Sequence, residues 1–280
     1  MHDRDQSISN SDMSRLRTLI YAQSGINLSV EKKTMLELRL RPRVRILTMN
    51  SYREYCDYLF SDRGQREEMI PLLDAVTTNK TDFFRESDHF EYLTQKALPG
   101  RMNGSLSTRP LLLWSAGCSS GEEPYTLTMV LTEYAGTHPG FRFSILATDL
   151  CTTVLDKARL AVFSAEVVAP VPAELRRRYF LRSRDRESKQ MRIVPELREL
   201  VEFRRLNFMD SDYGLPEKVD FIFCRNVIIY FDRATQEQIL QKLVNQLTPG
   251  GTIFLGHSET ISGMDIPLVT VGPSTYRKPG

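Results

Sequence analysis

Apolar positions along the first 75 or so residues recur at helical spacing. Met13, Leu16, Leu19 and Ile20 follow Asp12 on one face, and Ser51 with Glu54 has the form of a capping box ahead of Tyr55 and Leu59. Met69, Leu72, Leu73 and Val76 make a further face, which Pro71 should kink or start late. The pattern predicts a small helical domain over residues 1–76. One stretch resists it: Leu36, Leu38, Leu40, Val44 and Ile46 alternate with Glu37, Arg39, Arg41, Arg43 and Arg45, the period-two pattern of a half-buried strand, with Pro42 inside it.

Past the loop-like Asn103-Gly104-Ser105, short apolar runs alternate with helical patterns, which predicts a doubly wound α/β sheet over 105–280, joined to the helical domain by a connecting segment at 77–104. The expected strands are Leu111–Trp114, Phe143–Ala147 (ending in Thr148-Asp149), Val201–Leu206, Val219–Cys224 and Thr252–Leu255, with last strands from Leu268 to Tyr276. A helix with Pro124 in its first turn follows the first strand, and one opened by Thr235 and Gln238 buries Ile239, Leu240, Leu243, Val244 and Leu247. Residues 163–200, with three prolines, the basic run Arg176-Arg177-Arg178 and a polar loop from Arg182 to Gln190, read as an insert.

Composition narrows the function classes. A chain of 280 residues that is 41% hydrophobic can bury one α/β core and a small extra domain. No run of about 18 apolar residues exists, and Met1-His2-Asp3-Arg4-Asp5 lacks the layout of a secretory signal, so a cytoplasmic protein is expected. Cys56, Cys118, Cys151 and Cys224 are widely spaced and the four histidines do not cluster, so neither a metal site nor a disulfide framework is expected. The net charge of +2 does not announce nucleic acid, but Lys32, Lys33, Arg39, Arg41, Arg43 and Arg45 concentrate positive charge against only Glu31 and Glu37.

Ligands of an open parallel sheet bind outside the carboxyl ends of its strands. There the loop Ser115 to Glu123 offers small residues for close backbone approach, but its helix opens with Glu122-Glu123, which disfavour a phosphate and favour a cationic group. Asp149 ends the second strand, where an acid can accept hydrogen bonds from ribose hydroxyls. A nucleoside carrying an ammonium group and no pyrophosphate describes S-adenosylmethionine. The alternatives are blander: the glycine loop as a tight turn, Asn79 and Thr81 as helix caps, Arg85 paired with Glu86 or Asp88, Arg225 with Asp220 or Asp232, Asn207 as a strand terminator and Tyr230 as core.

The strings Thr77-Thr78-Asn79-Lys80-Thr81-Asp82-Phe83-Phe84-Arg85-Glu86, Trp114 to Pro124, Ala147-Thr148-Asp149, Phe223 to Phe231 and Leu255-Gly256-His257-Ser258-Glu259 resemble the CheR family of chemotaxis receptor glutamate methyltransferases. The resemblance implies a Rossmann-like class I methyltransferase sheet with a small N-terminal all-helical domain and an inserted β subdomain. It implies that Asn79, Thr81 and Arg85 close over the cofactor, Glu123 takes the methionine amino group, Asp149 the ribose, Asn207 and Phe208 the adenine (the family often has Leu at the latter), Arg225 and Asn226 further contacts, and that Tyr230 flanks the methyl donor. It also implies that the basic segment is a helix presented to the receptor through Lys32, Arg39, Arg43 and Arg45, and that the insert is the subdomain some members use to grip a receptor's tethering peptide.

The expected reaction is in-line transfer of methyl to a glutamate oxygen, leaving S-adenosylhomocysteine. An acceptor with a reference pKa of about 4.3 is already ionised and needs no general base. Arg85 and Tyr230 are the expected catalytic residues, on a monomer recruited to receptor assemblies without membrane insertion, metal or nucleic acid. Two rivals are a non-catalytic S-adenosylmethionine-binding adaptor and a nucleic-acid methyltransferase; Cys224-Arg225-Asn226-Val227 lacks the N/D-P-P-Y type of loop associated with the latter.

Overall fold

A computed structural model describes residues 7–102, 109–185 and 187–280. The start Met1 to Asp5, the boundary Asn103-Gly104-Ser105 and Arg186 of the polar loop lie outside the described residues. The helical domain contains α1 (Asn10–Ser24), α2 (Lys33–Ile46), α3 (Tyr52–Leu59), α4 (Asp62–Glu67) and α5 (Met69–Val76). Leu16, Ile20, Leu36, Leu40, Tyr55 and Leu72 form its core. The Oγ of Ser9 caps α1 by accepting from the Asp12 N–H, and Gly25, at φ 72°, ends it in the left-handed region. The Ser51 capping box is half made, since Ser51 Oγ accepts from the Glu54 N–H while the Glu54 carboxylate accepts from the N–H of Asn50. Pro71 falls in the first turn of α5, where a missing N–H has no intrahelical partner to lose.

The alternating segment is helical as the family resemblance implied, and not the strand its pattern suggests. In α2, Leu36 and Leu40, one turn apart, are fully buried, whereas Leu38 and Ile46 are 58% and 65% exposed. Burial of that i, i+4 pair against the rest of the helical domain outweighs the local period-two pattern. Pro42 lies inside the helix and is itself exposed.

Within the expected connecting segment, residues 77–87 are irregular, but α6 (Asp88–Tyr92) runs through a π-helical stretch, Leu93–Ala97, into α7 (Leu98–Met102). Phe90, Leu93 and Leu98 pack on the sheet residues Leu113, Phe221 and Phe254, so this helix is one of the layers covering the sheet.

The sheet domain continues as β1 (Leu111–Ala116), α8 (Glu122–Thr137), β2 (Phe143–Asp149) and α9 (Thr152–Leu160). The insert comprises β3 (Val162–Ser164), α10 (Ala165–Val168), α11 (Ala173–Tyr179), β4 (Phe180–Arg182), β5 (Gln190–Ile193) and α12 (Pro195–Arg198). After it come β6 (Val201–Arg205), β7 (Val219–Cys224), α13 (Arg233–Gln246), β8 (Leu247–Leu255), β9 (Val269–Gly272) and β10 (Thr275–Arg277). The main sheet has the order β6-β2-β1-β7-β8-β10-β9, with the first five strands parallel and the last two antiparallel. The direction of winding reverses on either side of β1, with β2 to one side and β7 to the other, which puts the topological switch point at the carboxyl end of β1. The insert folds as a separate antiparallel sheet in the order β3-β5-β4. Asp232, and not Thr235, caps α13, accepting from the Thr235 N–H. Among the described residues no helix is long and apolar enough to cross a membrane.

Candidate functional site

A cleft of about 1100 Å³, counted out to its open mouth, lies at the switch point beneath the helical domain. Sheet residues form its floor: Gly117, Ser119 and Glu123 after β1, Asp149 and Leu150 after β2, Asn207 and Phe208 after β6, and Arg225 to Val227 after β7. Ser24, Asn27, Lys32, Met35 and Arg39 of the helical domain form the roof, and Asn79, Thr81 and Arg85 of the irregular segment form a side. Every expected catalytic and cofactor-binding position therefore meets in one cleft, including Tyr230, whose half-buried side lines it while Ile228 fills the core and Ile229 is 46% exposed.

The floor is built by strained and tightly packed backbone. Gly117 has φ 90°, and a Cβ there would lie 2.4 Å from Val227 Cγ2, so only glycine lets the β1 and β7 loops approach. Ser119 and Asn226 also adopt positive φ, 50° and 57°. Non-glycine residues hold such values when surroundings over-determine them, and here they do. Ser119 donates its N–H to Asp149 Oδ2 at 2.8 Å and its hydroxyl to the Asn79 carbonyl. Asn226 and Val227 donate their N–H groups to the two oxygens of Glu259, which also accepts from Gly256 and Ile229.

Glu259 is 5% exposed and burial raises its pKa, opposed by those backbone hydrogen bonds. This carboxylate, inside a string matched to the family but given no role there, shapes the whole turn that carries Asn226 and Tyr230. Only its three-residue distance from Gly256 signals such a role. Asp74 is a second unforeseen positioning group: its carboxylate accepts from the N–H and hydroxyl of both Thr152 and Thr153, tying α5 to the start of α9 beside Asp149.

Asp149 accepts one backbone N–H on each oxygen, from Ser119 and from Cys151 at 2.9 Å, and burial raises its pKa. A carboxylate has about four acceptor positions, so one remains free on each oxygen, the arrangement a vicinal diol needs. Glu123, 8% exposed, accepts from Ser115 Oγ and from Arg225 Nε, both at 2.7 Å. Glu122 is also buried, but it turns to Ser120 and burial raises its pKa.

Arg225 does not pair with Asp220 or Asp232. Asp220 is taken by Arg101 and Arg109, and Asp232 caps α13. The Arg225 guanidinium is 2% exposed, donates Nη1 to the Arg85 carbonyl at 2.7 Å, lies 3.2 Å from His89 Nδ1 and 3.6 Å from Glu86. Glu86, His89 and His257 bring potential ligand atoms within 4.8 Å of one another, but the arginine cation already fills the inner side of this cluster. Burial, with Arg225 adding repulsion, lowers the His89 pKa to about 4, so the imidazole is neutral and accepts from the guanidinium. His257 is half exposed and pairs with Asp88.

The remaining expected residues are distributed unevenly. Arg85 donates to the Lys80 carbonyl and not to Glu86 or Asp88; Asn79 donates to Thr77 Oγ1, and no helix begins at Asn79 or Thr81. Asn207 donates to the Gln23 carbonyl of α1. The four residues expected to face a partner, Lys32, Arg39, Arg43 and Arg45, differ in their surroundings. Arg39 donates to the carbonyls of Val76 and Thr77 and to Thr78 Oγ1, and Arg43 makes a bidentate pair with the buried Glu68 at 2.7 Å per bond. Both guanidiniums are spent within the chain, because their positions flank the buried Leu36–Leu40 stripe, whereas Lys32, Arg41 and Arg45 are exposed beside Leu38 and Ile46.

The residues fit a nucleoside that carries an amino acid. Asp149 presents two spare acceptors, and the buried Asn226 Oδ1 has no hydrogen-bond partner among the described residues, leaving an acceptor for a ligand donor. The comparisons with known proteins agree. The family model described as CheR methyltransferase, SAM binding domain, matches residues 79–276, and the CheR methyltransferase, all-alpha domain, matches residues 11–77. The chemotaxis protein methyltransferase of Borreliella burgdorferi is 38% identical over 97% of this chain and 95% of its own length. Chemotaxis protein methyltransferase 2 of Pseudomonas aeruginosa is 38% identical over 95% of this chain and 92% of its own, and the Escherichia coli chemotaxis protein methyltransferase is 36% identical over 96% and 90%.

Proposed function

Since this chain belongs to the CheR methyltransferase family and is an S-adenosylmethionine-dependent methyltransferase, we propose that it esterifies glutamate side chains on the cytoplasmic helical domain of chemotaxis receptors. The observation that carries the reading is the convergence, in one cleft, of Asp149, Glu123 and Arg85 beneath the helix that turns Arg41 and Arg45 outward.

S-adenosylmethionine, when bound, supplies an electrophilic methyl group on a sulfonium sulfur. Asp149 would hold the ribose hydroxyls, Glu123 and the free Asn226 Oδ1 the amino group, and Asn207 and Phe208 the adenine. Asn79 and Thr81 close the side of the cleft, and Tyr230 offers a ring face to positive charge. Arg85 is tethered by one bond to the Lys80 carbonyl, which leaves most of its guanidinium donors to orient an incoming carboxylate. The acceptor is ionised at neutral pH, so the chain's task is placement and exclusion of water, and orientation of this kind supplies about 7–11 kcal/mol.

Arg41 and Arg45, with Lys32, suit an acidic helical partner, and the adjacent Leu38 and Ile46 give that contact an apolar centre. The inserted sheet has β3 and β4 as open edges, with Leu181 half exposed on β4, a surface on which a receptor's tethering peptide could add as a strand. The protein then works in the cytoplasm and is recruited to receptor assemblies. The test is transfer of radiolabelled methyl from S-adenosylmethionine to receptor-containing membranes: base-labile label on receptor glutamates is expected, and base-stable label, or label on nucleic acid, refutes the proposal.

A further inference from the structure

The turn after β6 is held from outside by a residue of α13. Within residues 207–210, Asn207 N–H donates to Asp210 Oδ2, Met209 N–H to Asn207 Oδ1, and Asp210 N–H to the Asn207 carbonyl. Phe208 N–H is thus the one backbone donor of this turn without a partner among the described residues, and Phe208 lines the cleft. Two carbonyls of the turn, of Phe208 and Asp210, both accept from the ammonium of Lys242, which is not among the residues lining the cleft. Tyr213 adds its hydroxyl to the Phe208 carbonyl, and its ring lies 5.0 Å from Lys242 Nζ. Lys242 makes no ion pair within 4 Å among the described residues; its charge goes to two main-chain oxygens that belong to one turn.

We infer that Lys242 is a positioning residue for nucleoside-base recognition: by clamping two carbonyls of the 207–210 turn it holds the unpartnered Phe208 N–H toward the cleft, where it reads a ring-nitrogen acceptor on the purine. An ammonium has three donors, enough to hold both carbonyls at once, whereas Tyr213 alone leaves the Asp210 carbonyl free and the turn able to rotate. A fixed N–H matches the unprotonated ring nitrogen N1 of adenine. Hypoxanthine carries a hydrogen on that nitrogen, so it would set donor against donor. Lys242 touches neither the base nor the reacting atoms; it acts through Phe208.

The inference rests on the reading of Asn207 and Phe208 as the base contacts. Calorimetric titration with S-adenosylhomocysteine and with S-inosylhomocysteine tests both levels in wild type, Lys242→Met and Lys242→Arg. Wild type should prefer the adenosyl compound by about tenfold or more. Lys242→Met should lose about tenfold affinity for S-adenosylhomocysteine and little for the inosyl compound, so that the preference shrinks, while turnover at saturating donor stays within about twofold; Lys242→Arg should retain most of the preference. Unchanged preference in Lys242→Met, or an equal loss for both nucleosides, overturns the positioning role. A wild type that binds both compounds equally overturns instead the reading of the base site.

Discussion

Replacing Asp149 by asparagine keeps the side chain's shape but removes its charge and one of its two acceptor oxygens. In the wild type each carboxylate oxygen accepts one backbone N–H, Ser119 at 2.8 Å and Cys151 at 2.9 Å, and keeps one position for a ribose hydroxyl. An asparagine has only one acceptor oxygen, so its amide nitrogen must face either the Ser119 or the Cys151 N–H, and one ribose hydroxyl loses its acceptor. Hydrogen bonds to a charged group contribute about 1.5–3 kcal/mol each. Losing one and weakening the other to a neutral bond costs about 2.5–4 kcal/mol of binding, a loss of roughly 70- to 900-fold in affinity. The ribose contact is the same before and during methyl transfer, so this is uniform binding, and kcat at saturating donor should fall far less than kcat/KM. Calorimetry with S-adenosylhomocysteine beside a methyl-transfer assay measures both. Affinity within about threefold of wild type, or a collapse of kcat with affinity intact, refutes the assignment of Asp149 to the sugar.

Arg85→Lys should lower kcat for methyl transfer by about a hundredfold while S-adenosylhomocysteine binding changes less than about fivefold, because a lysine cannot present the planar fork to a carboxylate; equal losses in both would place Arg85 in cofactor binding alone. Reversing the exposed pair, Arg41→Glu with Arg45→Glu, should raise the KM for receptor by about tenfold and flatten its salt dependence, with cofactor affinity unchanged by calorimetry. His89 has its pKa lowered from 6.5 to about 4, so the unfolded chain binds the extra proton first as pH falls. Stability from this group is therefore present above about pH 6.5 and lost as pH falls toward 4, by up to about 3 kcal/mol. His89→Asn keeps an acceptor for Arg225 without titrating, and denaturant melts should show a flatter dependence over that window than in wild type. Asp149, Glu122 and Glu259, whose pKa values burial raises, contribute slopes of the opposite sign in both proteins and cancel in the difference.

The α/β layering and the location of the cleft were legible in the sequence because both follow from local signals: buried runs separated by helical patterns, and the rule that ligands gather at strand carboxyl ends. Glu123, Asp149 and Arg225 stand at those ends whatever else the chain does. Residues whose work depends on distant partners were not legible. Arg225 could have paired with Asp220 or Asp232, each only a few residues away; it pairs with Glu123, 102 positions earlier, because Asp220 is claimed by Arg101 and Arg109 at the opposite end of β7. Lys242 acts on the carbonyls of Phe208 and Asp210, and Glu259 on the N–H groups of Asn226 and Val227, each about 30 positions away, so no local pattern marks either. The helix over 88–102 has a weak local signal, because the π-helical stretch Leu93–Ala97 breaks the regular spacing between its buried residues Phe90, Leu93 and Leu98.

The basic helix shows why pattern and charge must be read against burial. Strand periodicity and receptor-facing charge both treat Arg39 and Arg43 as members of one uniform row. In the fold the buried pair Leu36 and Leu40 sets the helix rotation, and that rotation carries Arg39 to the end of α5 and Arg43 onto Glu68, whose side chain is 2% exposed. A carboxylate so buried costs several kcal/mol unless paired, so removing Arg43 should destabilise the helical domain by about 3–5 kcal/mol. Arg39 bonds the chain at Val76 to Thr78, immediately before Asn79 and the cleft wall, and its own side chain lines the cleft roof. Arg41 and Arg45 are left as the exposed arginines of α2, while Arg39 ties that helix to the irregular segment that forms a side of the cleft. Arg39 thus fixes the end of α5 and the start of the irregular segment against α2. The substitution Arg39→Lys keeps the charge but holds fewer of those oxygens, so amide hydrogen exchange at Thr77 to Asn79 should quicken while that of α13 is unchanged; unchanged exchange at both refutes this role for Arg39.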